Sequence, residues 1–301
     1  DVFGLTMLDL AKNNPKIVGV TPAMPTGSSL KYMMQAYPDR AFDVGIAEQH
    51  AVTLSAGMAT QGFKVFCTIY STFLQRAYDQ VIHDVALQNL PVVFCIDRAG
   101  LVGRDGATHH GVFDLAYLNC IPNLVIASPR NGIELRQLLY TASQFNEHPI
   151  AIRYPRGQSF HKNWQVDFKT VPIGKAELLQ SGQRFAVLSI GSIAQEVTHA
   201  FKLLPKEIKP AHYDFKFLKP LDTKVLDEII QQFEFVITVE DASIIGGLGD
   251  AVSSYFNQAE ANTQLIKMGI PDQFIEHGST QELFELAGIS AKAIAKQVLQ
   301  L

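Results

Sequence analysis

Charge is scarce in this 301-residue chain. Asp, Glu, Lys and Arg make up 18% of it, against about 25% in an ordinary globular domain, so extensive burial in cores or against a partner is expected. Basic charge is scarcer still: 25 Lys and Arg stand against 29 Asp and Glu, for a net charge of −4. Nothing resembles the basic footprint of a nucleic-acid binder, and an anion must be met by individual arginines rather than by a general field. Cysteine is limited to Cys67, Cys95 and Cys120. Their number is odd and their spacing is neither CxxC nor His-flanked, which excludes a disulfide framework and a zinc site. All three lie in or beside apolar runs and read as buried free thiols of a reducing compartment. No apolar run approaches the ~18 residues of a membrane span, and no signal peptide is present, so a cytoplasmic location without membrane contact is expected. Low-complexity tracts and short repeats are also absent. The chain opens on Asp1 rather than Met, with helical periodicity at once (Val2, Leu5, Leu8, Ala11), which suggests that a longer polypeptide precedes it.

What is present is a rhythm. Apolar runs such as KIVGV, FKVFCTIY, LPVVFCIDR, NLVIASP and PIAIRYPRG alternate with amphipathic segments through the first 155 or so residues. Continuous apolar strands separated by helices predict a parallel sheet covered on both faces. Residues 158–174 break the rhythm, and a second alternating set follows, including RFAVLSIGS, AHYDFKFL, FEFVITVED and QLIKMGI. The expected fold class is therefore α/β, with two doubly wound domains on mainly parallel sheets: residues 1–160, a linker at 161–174, and residues 175–301.

In such sheets the working residues lie beyond the carboxyl ends of the strands. Glu48, Tyr70, Arg98 and Arg156 all follow predicted strands. Glu48 stands where a run through Phe42, Val44 and Ile46, read as a buried strand, gives way to a helix with apolar positions at Ala51, Val52, Leu54 and Met58, stopped by Gly62. An acid there can simply complement the helix dipole. Phe73 and Arg76 share a face of the next helix, predicted through Ala77, Tyr78, Val81 and Val85; taken alone, Phe73 reads as a core residue and Arg76 as a solvated charge. The stretch from Asp97 to Gly111, DRAGLVGRDGATHHG, reads as a long glycine-rich loop with no apolar reason to be ordered, and it concentrates Arg98, Asp105, His109 and His110. In the second domain GGLGDAV imitates a dinucleotide fingerprint, but Val252 stands where the third glycine belongs. A tight structural turn is the expected reading.

The runs VTPAM, DVGIAEQHAV, IYSTFLQRAYDQVIHDVA, DRAGLVGRDGATHHG and RYPRG, in this order and spacing, resemble the 1-deoxy-D-xylulose-5-phosphate synthase family of the transketolase superfamily. The resemblance covers essentially the whole chain, but only the family's pyrimidine-binding domain and transketolase C-terminal-like domain. It implies a thiamine-diphosphate-dependent transferase that condenses pyruvate with glyceraldehyde 3-phosphate, releases carbon dioxide, and feeds isoprenoid, thiamine and pyridoxal biosynthesis. By the same resemblance Glu48 hydrogen-bonds the cofactor's pyrimidine ring, Phe73 stacks on it, and Tyr70 and Arg76 line the pocket. Arg98 and Arg156 hold the substrate phosphate. Asp105 and His109 approach the reacting groups, histidine being the side chain best suited to pass a proton near neutral pH. Arg104, Ala107 and His110 depart from the smaller or amide side chains expected at their positions.

The family's diphosphate and Mg2+ are held by an N-terminal domain with a Gly-Asp-Gly motif, and no such motif occurs here. The resemblance therefore implies that the metal site lies on an absent N-terminal domain, that this chain alone is inactive, and that the assembly is a homodimer. The chain would be a fragment or one subunit of a split enzyme. Two other readings stand beside this one: a beta-type subunit of a two-oxo-acid dehydrogenase, which serves a lipoyl acceptor, and a non-catalytic interaction module.

Overall fold

A computed structural model describes residues 1–159 and 162–301. Phe160 and His161, at the end of the expected first domain and the start of the expected linker, lie outside the described residues. The chain divides into two compact units, one formed by residues 1–98 and 120–172, the other by residues 99–119 and 173–301.

The first unit is built on six strands: β1 (Ile17–Thr21), β2 (Ala41–Asp43), β3 (Lys64–Tyr70), β4 (Val93–Asp97), β5 (Val125–Ala127) and β6 (Ile150–Arg153). They lie in the order β5-β6-β4-β3-β1-β2, and every pairing is parallel. All carboxyl ends therefore fall on one edge. Every residue of β1, β4, β5 and β6 is buried, as sheets covered on both faces require. Phe66 and Phe94, both buried, mark its centre, each large apolar side chain contributing about 1.5–3 kcal/mol.

Three local features differ from the sequence reading. The run before Glu48 is not a long strand: β2 ends at Asp43, Gly45 turns the chain with φ +74°, and Ile46 is 88% exposed. The apolar positions Phe73, Ala77, Val81 and Val85 do not lie on one regular helix. They occupy an α-turn Ser71–Leu74, a 3-10 turn Gln75–Ala77, a further turn Tyr78–Gln80 and a π-turn Val81–Ala86. A strict four-residue spacing drifts about 40° per turn around a 3.6-residue helix, and the wider π-turn is the local unwinding that keeps Val81 and Val85 facing inward. Cys120 is exposed while Cys67 and Cys95 are buried, so only two of the three thiols match expectation.

The segment after Lys162 is extended and anchored rather than loose. The Arg136 side chain, on helix Gly132–Gln144, donates to the Val166 carbonyl (2.8 Å) and lies over the Phe168 ring. Tyr140 stacks on Phe168, and the Val171 N–H donates to Thr141 Oγ1.

The second unit carries β7 (Glu177–Gln180), β8 (Phe185–Ile190), β9 (Ala211–Asp214), β10 (Phe217–Lys219), β11 (Phe235–Ser243) and β12 (Gln264–Ile270). Five of these form a sheet in the order β12-β11-β8-β9-β7, parallel except for β7 against β9. Leu101 and Val112 belong to its core, with Val187, Ile237 and Ile289. The loop after Arg98 thus has apolar anchors, contrary to its glycine-rich appearance.

The GGLGD turn is structural. Glu240, at 0% exposure in β11, accepts the N–H groups of Leu248 (2.8 Å) and Gly249 (2.9 Å) at the start of helix Leu248–Gln258. A Cβ on Gly247 would lie 1.9 Å from Glu240 Oε2, so glycine is required for the close approach. The protein's own carboxylate takes the place that a phosphate has in a dinucleotide fold. Glu240→Ala strands both N–H groups and is expected to destabilise the unit by about 3 kcal/mol, measured by urea unfolding. A loss below ~1 kcal/mol would contradict this capping role.

Candidate active site

Glu48 is the first residue of helix Glu48–Thr60, after Ala47 at the cap position. The approach is set by Asp43, whose Oδ1 accepts the N–H groups of Ala23 (2.7 Å) and Gly45 (3.0 Å), tying the VTPAM turn to the end of β2. The helix ends as expected, with Gly62 at φ +79°. Glu48 is 4% exposed, and among the described residues its carboxylate takes part in no hydrogen bond or ion pair. A simple capping carboxylate would accept a nearby backbone N–H, and among the described residues no N–H donates to Glu48. A carboxylate on a largely buried residue, with no protein donor among the described residues, is free to accept from a ligand that brings an N–H. Helix Glu48–Thr60 packs against β3 and the turn Gln75–Ala77, which carry Tyr70 and Arg76.

Those candidates form a chain of stacked groups. The Arg98 guanidinium lies 3.9 Å from the Tyr70 ring centroid. Tyr70 and Phe73 stack at 5.7 Å with 16° between planes, and the Arg76 guanidinium is 5.5 Å from the Phe73 centroid. Tyr70, Phe73 and Arg98 are half-buried and Arg76 is exposed. Each cation–ring contact contributes about 0.5–2 kcal/mol. Gly27 makes room for the stack, since a Cβ there would meet the Tyr70 hydroxyl at 1.8 Å, and its carbonyl accepts from Arg98 Nη1 (3.0 Å).

Arg98 is also held by Asp97, a residue that sequence reading passed over. Asp97 Oδ1 accepts the Arg98 N–H (2.7 Å) and Oδ2 accepts Nη1 (2.9 Å), while Arg98 takes φ +60°. Burial pushes the Asp97 carboxyl up to about 6, against the opposing pull of Arg98. Because this lies above the ordinary value of 3.8, the ionised form weighs against the fold above pH 6. That penalty is relieved as pH falls from 6 toward 4, where the native chain takes the proton first. Arg156 is exposed, three residues past β6, on the same carboxyl edge of the sheet as Glu48, Tyr70 and Arg98.

Asp105 and His109 belong to the second unit. Reciprocal Gly100–Gly111 backbone bonds, both 2.8 Å, close the neck of their loop. Asp105 ends the 3-10 turn Gly103–Asp105 and is exposed. His109 is half-buried, with Nδ1 2.9 Å from Thr108 Oγ1. His110 is buried and structural: Nδ1 accepts the Val102 N–H (3.1 Å), and Nε2 faces the Glu276 carbonyl at 3.2 Å. A carbonyl only accepts, so these partners assign the proton to Nε2. One acceptor and one donor are also what an amide supplies, so histidine can serve at a position where a smaller or amide side chain is expected. Arg104 and Ala107 are exposed.

Residues 1–160 match the family model described as "Transketolase, pyrimidine binding domain", and residues 174–294 match "Transketolase, C-terminal domain". A protein of Parabacteroides distasonis named 1-deoxy-D-xylulose-5-phosphate synthase is 56% identical over 299 residues, covering 99% of this chain and 47% of its own length. One of the same name from Cytophaga hutchinsonii is 53% identical, covering 100% of this chain and 48% of its own. The chain spans about half the length of these curated relatives. Among solved structures, one titled "Split gene transketolase, inactive beta4 tetramer" superposes with a TM-score of 0.86 at 27% identity, covering 99% of this chain and 96% of that one. With two family models in sequence along one α/β chain, and a buried acid at the start of the helix after β2, the chain belongs to the transketolase family.

Proposed function

We propose that this chain is the pyrimidine-binding and acceptor-binding half of a 1-deoxy-D-xylulose-5-phosphate synthase, which condenses pyruvate with glyceraldehyde 3-phosphate and releases carbon dioxide. The observation that carries the proposal is Glu48, a largely buried residue whose carboxylate has no protein donor among the described residues, at the start of a helix that packs on β3. Relatives of that name at 56% and 53% identity support it across the whole chain. Thiamine diphosphate, when bound, supplies the carbanion chemistry that decarboxylates pyruvate and transfers the remaining two carbons to an aldehyde.

The residues of this chain bind, orient and move protons. Glu48 accepts the N–H of the aminopyrimidine ring and holds that ring in its proton-accepting form. Phe73 stacks on the ring, and Tyr70 and Arg76 complete its pocket. Arg98 and Arg156 bind the substrate phosphate from two strand ends, fixing its orientation by forked donors that a lysine lacks. His109 donates a proton to the developing alkoxide of the aldehyde, and Asp105 orients its hydroxyl groups. The diphosphate and Mg2+ fall to an N-terminal partner domain corresponding to the half of the relatives that this chain does not span, and the assembly is a cytoplasmic homodimer. The similarity to a split-gene transketolase chain of the same extent supports such a division. The dehydrogenase subunit reading lacks support of this kind, and a scaffold has no use for an acid that no described residue donates to. The test is whether the chain, assembled with the N-terminal half of the Parabacteroides distasonis protein, forms 1-deoxy-D-xylulose 5-phosphate.

A further inference from the structure

Tyr154 has a buried hydroxyl that no contact explains. It follows β6, and its N–H donates to the Ile96 carbonyl (2.9 Å), extending the β4–β6 ladder by one step. Tyr70 is paired with Asp97, and Ile96 with Arg153, so Tyr154 is the next neighbour of Asp97. Residues paired across parallel strands face the same side, which puts Tyr70, Asp97 and Tyr154 in one row across three strands. The Tyr154 ring stacks on Phe3 at 5.8 Å, and the residue is 6% exposed. Its hydroxyl is buried without a hydrogen-bond partner among the described residues. Phenylalanine would fill the slot without leaving such a group unpaired.

The neighbours of that hydroxyl suggest its use. Burial, and then the charge of Asp97, push the Tyr154 phenol well above its ordinary range, so it remains a donor. Among the described residues, both hydrogen bonds to the Asp97 side chain come from Arg98. When Arg98 turns its guanidinium to a ligand, the buried Asp97 carboxylate loses the bond from Nη1 and keeps only the Arg98 N–H. We infer that Tyr154 is a positioning residue for Arg98: when the guanidinium turns from Asp97 to an anionic phosphate group, the Tyr154 hydroxyl donates to Asp97 in its place. Tyr154 keeps its proton and Asp97 its charge, and only the hydrogen-bond partner changes. The inference rests on the proposed role of Arg98 toward phosphate.

The test has a ligand-free arm and a ligand arm, both on the 301-residue chain. Thermal melting is compared for wild type, Tyr154→Phe, Arg98→Ala and the double variant. With Arg98 present, Tyr154→Phe leaves Tm unchanged or raises it. With Arg98 removed the hydroxyl is engaged, and its loss lowers Tm by about 2–4 °C. Equal effects in both backgrounds, or a lowered Tm in the Arg98 background, would overturn the exchange. If Arg98→Ala does not fold, Arg98→Gln serves in the same cycle. In the ligand arm, inorganic phosphate is titrated by calorimetry: affinity is expected to fall about fivefold in Tyr154→Phe and to vanish in Arg98→Ala. Unchanged affinity in Tyr154→Phe, with binding lost in Arg98→Ala, overturns the positioning role. Coupled melting with equal phosphate binding in wild type and Arg98→Ala keeps the exchange and removes phosphate from Arg98.

Discussion

Glu48→Gln is expected to keep the fold and to lose pyruvate turnover by about 10²–10⁴-fold in an assembly with the N-terminal half of a relative. The substitution keeps the shape of the side chain and removes only its charge and one acceptor oxygen. Among the described residues the Glu48 carboxylate receives no hydrogen bond, so the amide takes nothing from those contacts, and Tm should hold or rise. A group kept for a ligand shows this combination of intact stability and lost turnover; a structural cap shows the reverse. Circular dichroism melting and steady-state turnover together decide the matter, and a variant with full turnover would remove Glu48 from the chemistry.

Arg156→Ala carries the second large expectation. The side chain is exposed at the carboxyl edge of the sheet, so its loss should leave the core untouched. A forked charge-assisted contact to phosphate is worth about 1.5–3 kcal/mol, which predicts a 10- to 100-fold rise in KM for glyceraldehyde 3-phosphate by the standard conversion. KM for pyruvate should change less than about twofold, because pyruvate has no phosphate for a guanidinium to grip. Equal rises for both substrates would contradict a phosphate role.

Much of this was legible in the sequence for physical reasons. Strands buried on both faces are written as unbroken apolar runs, which is why β3, β4 and β6 could be read directly, and with them the edge that presents Tyr70, Arg98 and Arg156. Glu48 was legible because a helix pattern closed by Gly62 begins at it. What escaped detection depends on contacts between residues distant in the chain. The pairing that sets Tyr154 beside Asp97 spans 57 positions, by subtraction of their numbers, and no local pattern announces it. Glu240 supports the GGLGD turn from the preceding strand, so the turn was read correctly without the reason for it. Leu101 and Val112 were hidden among glycines, yet they tie the loop of Asp105 and His109 into the second unit's core. Ile46 looked buried because isoleucine in an apolar run usually is, but here a glycine turn lifts it into solvent.

The central claim is that this chain supplies the pyrimidine and phosphate-acceptor contacts of a 1-deoxy-D-xylulose-5-phosphate synthase. The most direct measurement is product analysis by mass spectrometry, with the chain assembled with the N-terminal half of the Parabacteroides distasonis protein and supplied with thiamine diphosphate, Mg2+, pyruvate and glyceraldehyde 3-phosphate. The predicted result is 1-deoxy-D-xylulose 5-phosphate, formed in step with carbon dioxide and lost in Glu48→Gln. Consumption of pyruvate with glyceraldehyde 3-phosphate left unused, or acyl transfer to a lipoyl acceptor instead, would contradict it.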